Sequence, residues 1–188
     1  SGGLGDVYKR QADVWTGIQF PSAVPGLVSR VADIPAENVR FHQTYLGGGF
    51  GRRGSPSHII EAAEIAKATG KPIQLVWTRE DDIQQGPFRP ASLMRIKAGI
   101  DNDGNLIAWD AARAGADISP DTFRSLLPAL YSWMGDGMIE GVANLSEWYF
   151  EKFATDESST EGLFEDYDHP NTRVTHMTVD HELPMTFW

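Results

Sequence analysis

Val39-Arg40-Phe41-His42-Gln43-Thr44-Tyr45-Leu46-Gly47-Gly48-Gly49-Phe50-Gly51-Arg52-Arg53-Gly54-Ser55-Pro56 is the stretch on which the fold turns. Val39, Phe41, Gln43 and Tyr45 alternate with Arg40, His42, Thr44 and Leu46, the period of a half-buried strand. A glycine-rich loop, Gly47 to Gly51, follows. Ser55 then caps a helix with Pro56 in its first position, running to about Thr69, where Gly70 and Pro72 stop it. Ile73 to Thr78 reads as a second strand, ended by Arg79-Glu80-Asp81-Asp82. Four glycines in five residues permit positive φ and a close approach of backbone to a ligand. A loop between a strand and a helix N-terminus also presents N–H groups to an anion. Phosphate or oxo-anion binding and a tight structural crossover therefore both fit these residues.

Gly49-Phe50-Gly51-Arg52-Arg53-Gly54 also satisfies the G-x-G-x-x-G spacing of dinucleotide-binding folds, with Glu80 at the end of the next strand. The match is weak. Ser55 and Pro56 postpone the helix, and the preceding strand alternates in polarity, unlike the continuously apolar first strand of a parallel sheet. A P-loop is excluded because no Gly-Lys-Ser/Thr closes the loop.

Working outward, Val14 to Gln19 reads as a short strand. Pro21 and Ser22 open a helix whose Val24, Leu27, Val28 and Val31 fall at helical spacing, and Pro35 stops it. Leu93 to Ile100 and Leu106 to Trp109 form a hairpin through Asp101-Asn102-Asp103-Gly104, with Met94, Ile96, Ala98 and Ile100 on one face and Arg95 and Lys97 on the other. Beyond Ser119 the pattern weakens into helical pieces, Phe123 to Met134 and Leu145 to Phe153, before alternation returns over Thr172 to Leu183. Alternating helix and strand with antiparallel pairing give an α+β fold, a mixed sheet with packed helices. Residues 1–11 lack periodicity, and Asp6-Val7-Tyr8-Lys9-Arg10-Gln11 has the look of translated adapter, so they are set aside as a non-native or disordered tail. Residues 12–188 are expected to be a partial domain truncated at both ends, given the abrupt Phe187-Trp188.

A chain of 188 residues, 41% hydrophobic and 22% charged, fits one packed domain or a piece of a larger one. The absence of cysteine excludes disulfides and a self-ligated iron–sulfur cluster, so any such cluster is expected on a partner or a missing segment. The net charge of −10 is uneven: residues 1–100 carry 12 basic and 9 acidic side chains, residues 101–188 carry 4 and 17. Nucleic acid is a poor partner for so acidic a second half. No apolar run approaches the ~20 residues of a membrane helix, and no signal peptide is visible.

Tyr45-Leu46-Gly47-Gly48-Gly49-Phe50-Gly51-Arg52-Arg53, then Val76-Trp77-Thr78-Arg79-Glu80-Asp81-Asp82, then Phe88-Arg89-Pro90-Ala91-Ser92, together resemble the molybdopterin-binding large subunit of the xanthine dehydrogenase and aldehyde oxidase superfamily, in its isoquinoline 1-oxidoreductase beta subunit branch. The resemblance covers Trp15 to Ile100, thins from Ser119, and returns over Tyr167 to Trp188 with Asn171-Thr172-Arg173-Val174 and Pro184-Met185-Thr186-Phe187-Trp188. It implies a fragment of a molybdopterin-binding domain in a molybdenum hydroxylase, which oxidises an N-heterocycle or aldehyde by water-derived hydroxylation. The cofactor would be molybdenum–molybdopterin, in the cytosine dinucleotide form, and electrons would leave to a small iron–sulfur subunit carrying [2Fe-2S]. The branch implies a periplasmic setting, with the cytoplasm as the alternative.

Carried over by position, the family's glutamine beside the metal's apical oxo group stands 28 residues before the first loop glycine, which is Gln19. An amide N–H₂ there donates without adding charge. Phe50 and Gly51 match the loop residues whose backbone faces the molybdenum centre, with Gly48 and Gly49 allowing the approach. Arg52-Arg53-Gly54 stand where the xanthine-oxidising branch has Gly-Lys-Glu, which removes the carboxylate that reaches a purine. Arg52 and Arg53 suit either a pterin or nucleotide phosphate or pairing with Glu80, Asp81 and Asp82. The family's general-base glutamate lies in a Gly-x-Gly-Glu motif that this chain does not contain, so no catalytic residue is assigned. A fragment without it is expected to be inactive alone.

The other candidates read as structural. Glu80, Asp81 and Asp82 suit a solvated turn better than a hard-metal site, and His176, Asp180 and His181 suit a surface or core better than zinc, since strand positions five apart face opposite ways. Glu64 and Lys67 form a helical i,i+3 pair with Glu61 on the same face. Trp148, Tyr149, Phe150 and Phe153 read as a core for the acidic segment, or as the border of a substrate funnel. Two other functions stay open: a dinucleotide-binding domain using Gly49, Gly51 and Gly54, and a non-catalytic acidic interaction module acting through residues 119–171.

Overall fold

The structure is a computed structural model that describes residues 3–8, 11–163, 168, 170–179, 183 and 185–186. Its elements are β1 (Gly3–Tyr8), β2 (Gln11–Thr16), α1 (Val24–Ala32), β3 (Val39–Gln43), α2 (Ser57–Thr69), β4 (Ile73–Leu75), α3 (Arg79–Gln85), β5 (Ser92–Ile100), β6 (Leu106–Gly115), α4 (Ser119–Leu130), α5 (Asp136–Phe153) and β7 (Thr172–Thr178). A mixed sheet runs β3-β2-β1-β4, with β2 parallel to β3 and β1 antiparallel to both β2 and β4. A second runs β5-β6-β7, antiparallel then parallel. The expected α+β mixed-sheet class is what forms.

The core lies where α1 and α2 cover the first sheet. Val24, Leu27, Val28 and Ala32 are buried on one stripe of α1, a spacing that only a helix brings to one side. Val24, Val28 and Ala32 join Ala12, Val14, Ile18, Ile34, Val39 and Ile59, with Phe41 packed alongside. Each full side-chain burial of this kind contributes about 1.5–3 kcal/mol. Asp33 closes α1 in the left-handed region at φ 58°, and Ser29 Oγ donates to Ile34 O at 2.6 Å to hold the exit.

Several elements depart from expectation for local reasons. Gly3–Tyr8, inside the segment set aside as a tail, pairs on both sides as a strand of the first sheet. β2 ends at Thr16, so Gln19 lies in the loop beyond it. β3 ends at Gln43, and Tyr45 is fully exposed, because its partner β2 runs out at Thr16↔Gln43. Pro56 is the N-cap of α2 rather than its first residue. β4 stops at Leu75, and Arg79 to Asp82 open α3 instead of a turn. Thr78 Oγ1 accepts from Asp81 N at 3.1 Å, while Thr78 N donates to Asp81 Oδ2 at 3.0 Å, a reciprocal cap. The hairpin forms, with β6 running on to Gly115 past the Trp109 read from sequence and Asp101 Oδ1 accepting from Asp103 N and Asn105 N at the turn, though Met94, Ile96 and Ile100 stay exposed. α4 and α5 start earlier than the helical pieces read from sequence, and β7 is the described part of the final alternating stretch.

α4 and α5 form a small core of Leu127, Met134, Ile139 and Ala143, and they dock on α1 at two points. Arg30 donates to Met134 O at 2.8 Å and pairs with Asp136. Asp156, buried and far along the chain, accepts from Ile118 N at 2.6 Å, Ser119 N at 3.0 Å and Ser119 Oγ at 2.6 Å, satisfying the otherwise uncapped start of α4. Burial opposes ionisation of Asp156, but these bonds outweigh it and hold its carboxyl below the usual range.

Gly26 is where α1 and α4 come closest, since a Cβ there would fall 2.4 Å from Ala129 O. Gly26→Ala is expected to push α4 off α1 and lower stability by about 1–3 kcal/mol. The midpoint of urea unfolding reads this, and an unchanged midpoint would contradict so close a crossing.

Candidate functional site

The loop after β3 is bent by residues that accept left-handed backbone. Gly47, Gly48 and Gly51 have φ of 69°, 112° and 72°, and Phe50, with φ 49°, joins them despite its side chain. Such a non-glycine residue is uncommon and is held only where its surroundings demand it. The Arg89 guanidinium donates to Phe50 O, and Arg53 N and Gly54 N donate back to Gly49 O and Gly51 O at 3.3 and 2.8 Å. A Cβ on Gly48 would fall 2.6 Å from the Phe50 ring, so glycine there lets the ring fold back over the loop.

Gln19 lies against this loop. Its N–H donates to Arg53 O at 3.0 Å, and a Cβ on Gly49 would meet its side-chain Cδ at 2.4 Å. Thr44 N to Thr16 O at 3.2 Å and Gln43 Nε2 to Ile18 O at 3.3 Å tie the two chain exits together behind it. Five of the six residues assigned to cofactor binding from sequence, Gln19, Gly48, Gly49, Phe50 and Gly51, therefore come together in one packed cradle, in which Gln19 lies on Gly49 and the Phe50 ring on Gly48 so closely that a Cβ at either glycine would collide. The sixth, Arg52, is engaged by Trp77 and Asp82. Its Cζ stands 5.2 Å from the centre of the Trp77 ring, and Nε lies 3.3 Å from Asp82 Oδ1. Trp77 is held in turn by donating to Glu61 Oε2 at 2.6 Å. Of the three carboxylates offered as partners for Arg52, Asp82 takes the role, while Asp81 caps α3.

Two adjoining cavities open beside the loop. One, of about 320 Å³, is lined by Arg52, Arg53, His58, Trp77, Arg79 and Asp82, with Leu75 and Thr78 completing it. The other, of about 460 Å³, shares Arg52, Arg53, Arg79 and Asp82 and reaches Gly48, Gly49, Phe50 and Arg89. His58 sits in the first turn of α2, its Nε2 3.4 Å from Thr16 Oγ1. Sequence reading gave His58, Arg79 and Arg89 no role. The Thr78-x-x-Asp81 cap was the available signal for Arg79 at a helix start; nothing in the sequence marked His58.

Elsewhere the structural readings divide. Among the described residues no group of three or more His, Asp or Glu could hold a metal. His176 is buried, with Nε2 2.7 Å from Asp117 Oδ1 and Nδ1 3.4 Å from an Arg113 nitrogen, a network that pins β6 to β7; Asp180 and His181 lie outside the described residues. Lys67 donates to Val31 O at 2.9 Å rather than pairing with Glu64. Trp148, Tyr149 and Phe153 do not form a core: they touch one another on the outer side of α5 and are about half exposed or more, at 49%, 53% and 67%. No helix among the described residues is long and apolar enough to cross a membrane.

Comparison with known proteins places these features. The family model described as the molybdopterin cofactor-binding domain matches residues 3–117. The beta subunit of isoquinoline 1-oxidoreductase from Brevundimonas diminuta is 36% identical over 98 residues, which is 52% of this chain and 12% of that protein. Human aldehyde oxidase is 31% identical over 119 residues, 61% of this chain and 9% of that protein. The chain thus matches about a tenth of the length of these relatives. Quinoline 2-oxidoreductase from Pseudomonas putida 86 shares the fold, with a TM-score of 0.52 at 21% identity over 62% of this chain and 15% of that one.

The electrostatics of the loop make a prediction about pH. Burial, then the charges of Arg53 and Arg52, lower the pKa of His58 to about 4, against about 6.5 in an unfolded chain. Because the folded pKa is depressed, the stability tied to neutral His58 is complete above pH 6.5 and is lost as pH falls toward 4, by about 3 kcal/mol in all. The stability difference between the wild type and His58→Gln is expected to shrink by that amount between pH 7 and pH 4 in urea titrations. Equal pH slopes would contradict a neutral His58 beside these arginines.

Proposed function

Because the chain belongs to the family of molybdopterin cofactor-binding domains, we propose that it is part of the large subunit of a molybdenum hydroxylase that oxidises an N-heterocycle or an aldehyde and passes electrons to a small iron–sulfur subunit. The observation that carries this reading is the Gln19 side chain packed on Gly49. It puts a neutral double donor against a loop whose Gly48, Gly49 and Phe50 line a cavity of about 460 Å³. When bound, the cofactor, in its cytosine dinucleotide form, supplies two-electron oxidation of an electron-poor carbon with oxygen taken from water.

The chain's own residues bind and orient. Gln19 would hold the group through its side-chain amide, a neutral donor that adds no charge. Phe50 and Gly51 offer backbone at the cradle, and the Arg89 bond to Phe50 O holds that backbone in its left-handed turn. Arg52, stacked on Trp77 and paired with Asp82, braces the loop, and would stand beside the pterin. Proton abstraction belongs to a glutamate outside this chain, so the 188 residues alone are expected to show no turnover.

The dinucleotide reading fits the sheet poorly. β3 and β4, which flank the loop and α2, stand at opposite edges of the sheet with β2 and β1 between them, whereas a dinucleotide crossover joins neighbouring parallel strands.

The test uses the complete subunit with its iron–sulfur partner, made in a host that synthesises the cofactor. Molybdenum and pterin are expected near one per subunit, and Gln19→Ala is expected to keep the metal while lowering kcat by about 10²-fold or more. A complete subunit without molybdenum and pterin would overturn the reading.

A further inference from the structure

The connection between α3 and β5 carries a residue that holds the glycine loop. Phe50 keeps a left-handed backbone at φ 49° although the residue is 76% exposed, so burial does not hold it there. Arg89, itself exposed, donates to Phe50 O and supplies that restraint. A long side chain in water gives up rotamer freedom to make such a bond. The bond therefore depends on how firmly the backbone of Arg89 is placed.

That backbone is placed from outside the loop. Thr186 N donates to Phe88 O at 2.9 Å, and Met185 pairs with Phe88 in a parallel bridge. Met185 and Thr186 are both buried, and Thr186 lines the 460 Å³ cavity together with Gly48, Gly49, Phe50 and Arg89. A pairing this short is marginal by itself. Asp121, in the first turn of α4, anchors it: its Oδ2 accepts from Met185 N at 2.6 Å across 64 positions of sequence. Bonds to an ionised acceptor are among the stronger ones a backbone N–H can make.

We infer that Asp121 is a positioning residue for the glycine loop, acting from α4 through Met185 and Thr186, then Phe88 and Arg89, onto Phe50 O. The bonds set the order of this relay: the carboxylate fixes Met185, the bridge fixes Phe88, and Arg89 follows as the next residue. α4 lies beyond the matched residues 3–117, so a helix outside the cofactor-binding match steadies the backbone of the loop inside it. The structural step needs no ligand, whereas its bearing on the reaction rests on the molybdenum hydroxylase reading.

Amide hydrogen exchange of the full 188-residue chain tests the relay. Arg53 N and Gly54 N, which donate to Gly49 O and Gly51 O, report the turn of the loop; Thr186 N reports the bridge, and Ile34 N, which donates to Ser29 O, reports global stability. Asp121→Ala removes the acceptor, and Asp121→Asn keeps an acceptor oxygen without the charge. Asp121→Ala is expected to speed exchange at Thr186, Arg53 and Gly54 about tenfold and to leave Ile34 unchanged, with Asp121→Asn restoring most of the protection. Arg89→Gln is expected to speed Arg53 and Gly54 by a similar factor and to spare Thr186, and the double variant to exchange at the loop no faster than Arg89→Gln alone. Loop amides unmoved by either Asp121→Ala or Arg89→Gln, equal acceleration at Ile34, or additive effects in the double variant would overturn the relay. In the complete subunit with its iron–sulfur partner, Asp121→Ala is expected to retain molybdenum and pterin and to lower kcat about tenfold at a similar substrate KM, and Asp121→Asn to recover the rate. An unchanged kcat in metal-loaded Asp121→Ala would remove the bearing on the reaction. Molybdenum absent from the wild-type subunit would sink the hydroxylase reading and leave the exchange result standing.

Discussion

The contact between Gln19 and Gly49 sets the terms for the rest of the site. Two chain exits, one from β2 and one from β3, have to meet within a side chain's length, and they do so because the strands are parallel neighbours that end together. A residue with a Cβ at position 49 would occupy the volume of the amide. The core beneath serves this meeting: Val14, Ile18 and Val39 are buried under α1 directly behind the two exits, so their positions are not free to drift.

The second constraint is electrostatic, and it acts through α3. Placing Arg52 and Arg53 in sequence after a glycine loop gives two like charges that cannot separate. The chain answers by turning Thr78 to Asp82 into a capped helix start instead of a strand, which brings Asp82 within reach of Arg52 while Asp81 is consumed in the cap. Trp77 completes the arrangement as a flat surface for the guanidinium. The stretch Val76 to Asp82 resembled a family signature in sequence, and its physical content is the support of one side of the loop.

Much of this was legible in residue order, and the losses have particular causes. The helical stripe of Val24, Leu27 and Val28 and the Asp101 turn could be read because each depends on neighbours within a few positions. The juxtaposition of Gln19 with the loop has no local signature; only the likeness to a known family supplied its spacing. Gly3–Tyr8 escaped because it pairs on both edges through backbone, leaving no alternation to see. The aromatics of α5 misled in the opposite direction, since Trp148, Tyr149 and Phe153 have the spacing of a core face but a different face, carrying Ile139 and Ala143, is the one that packs.

That last case separates the chain into a part that makes the site and a part attached to it. Residues 3–117 contain the glycine loop and Gln19, whereas α4 and α5 lie beyond the family match and hold five of the chain's 26 acidic side chains. Their attachment depends on few points: the glycine crossing at Gly26, the Arg30 bonds to Met134 and Asp136, and the Asp156 carboxylate that caps α4 from a distance. None of these touches the loop. Glu140 and Glu147 of α5 are taken up by Arg124 of α4, within the helix pair itself. The pair of Arg30 with Asp136 joins a basic side chain of the first half to an acidic one of the second at α1 rather than at the loop, so the charge of the helices serves their attachment.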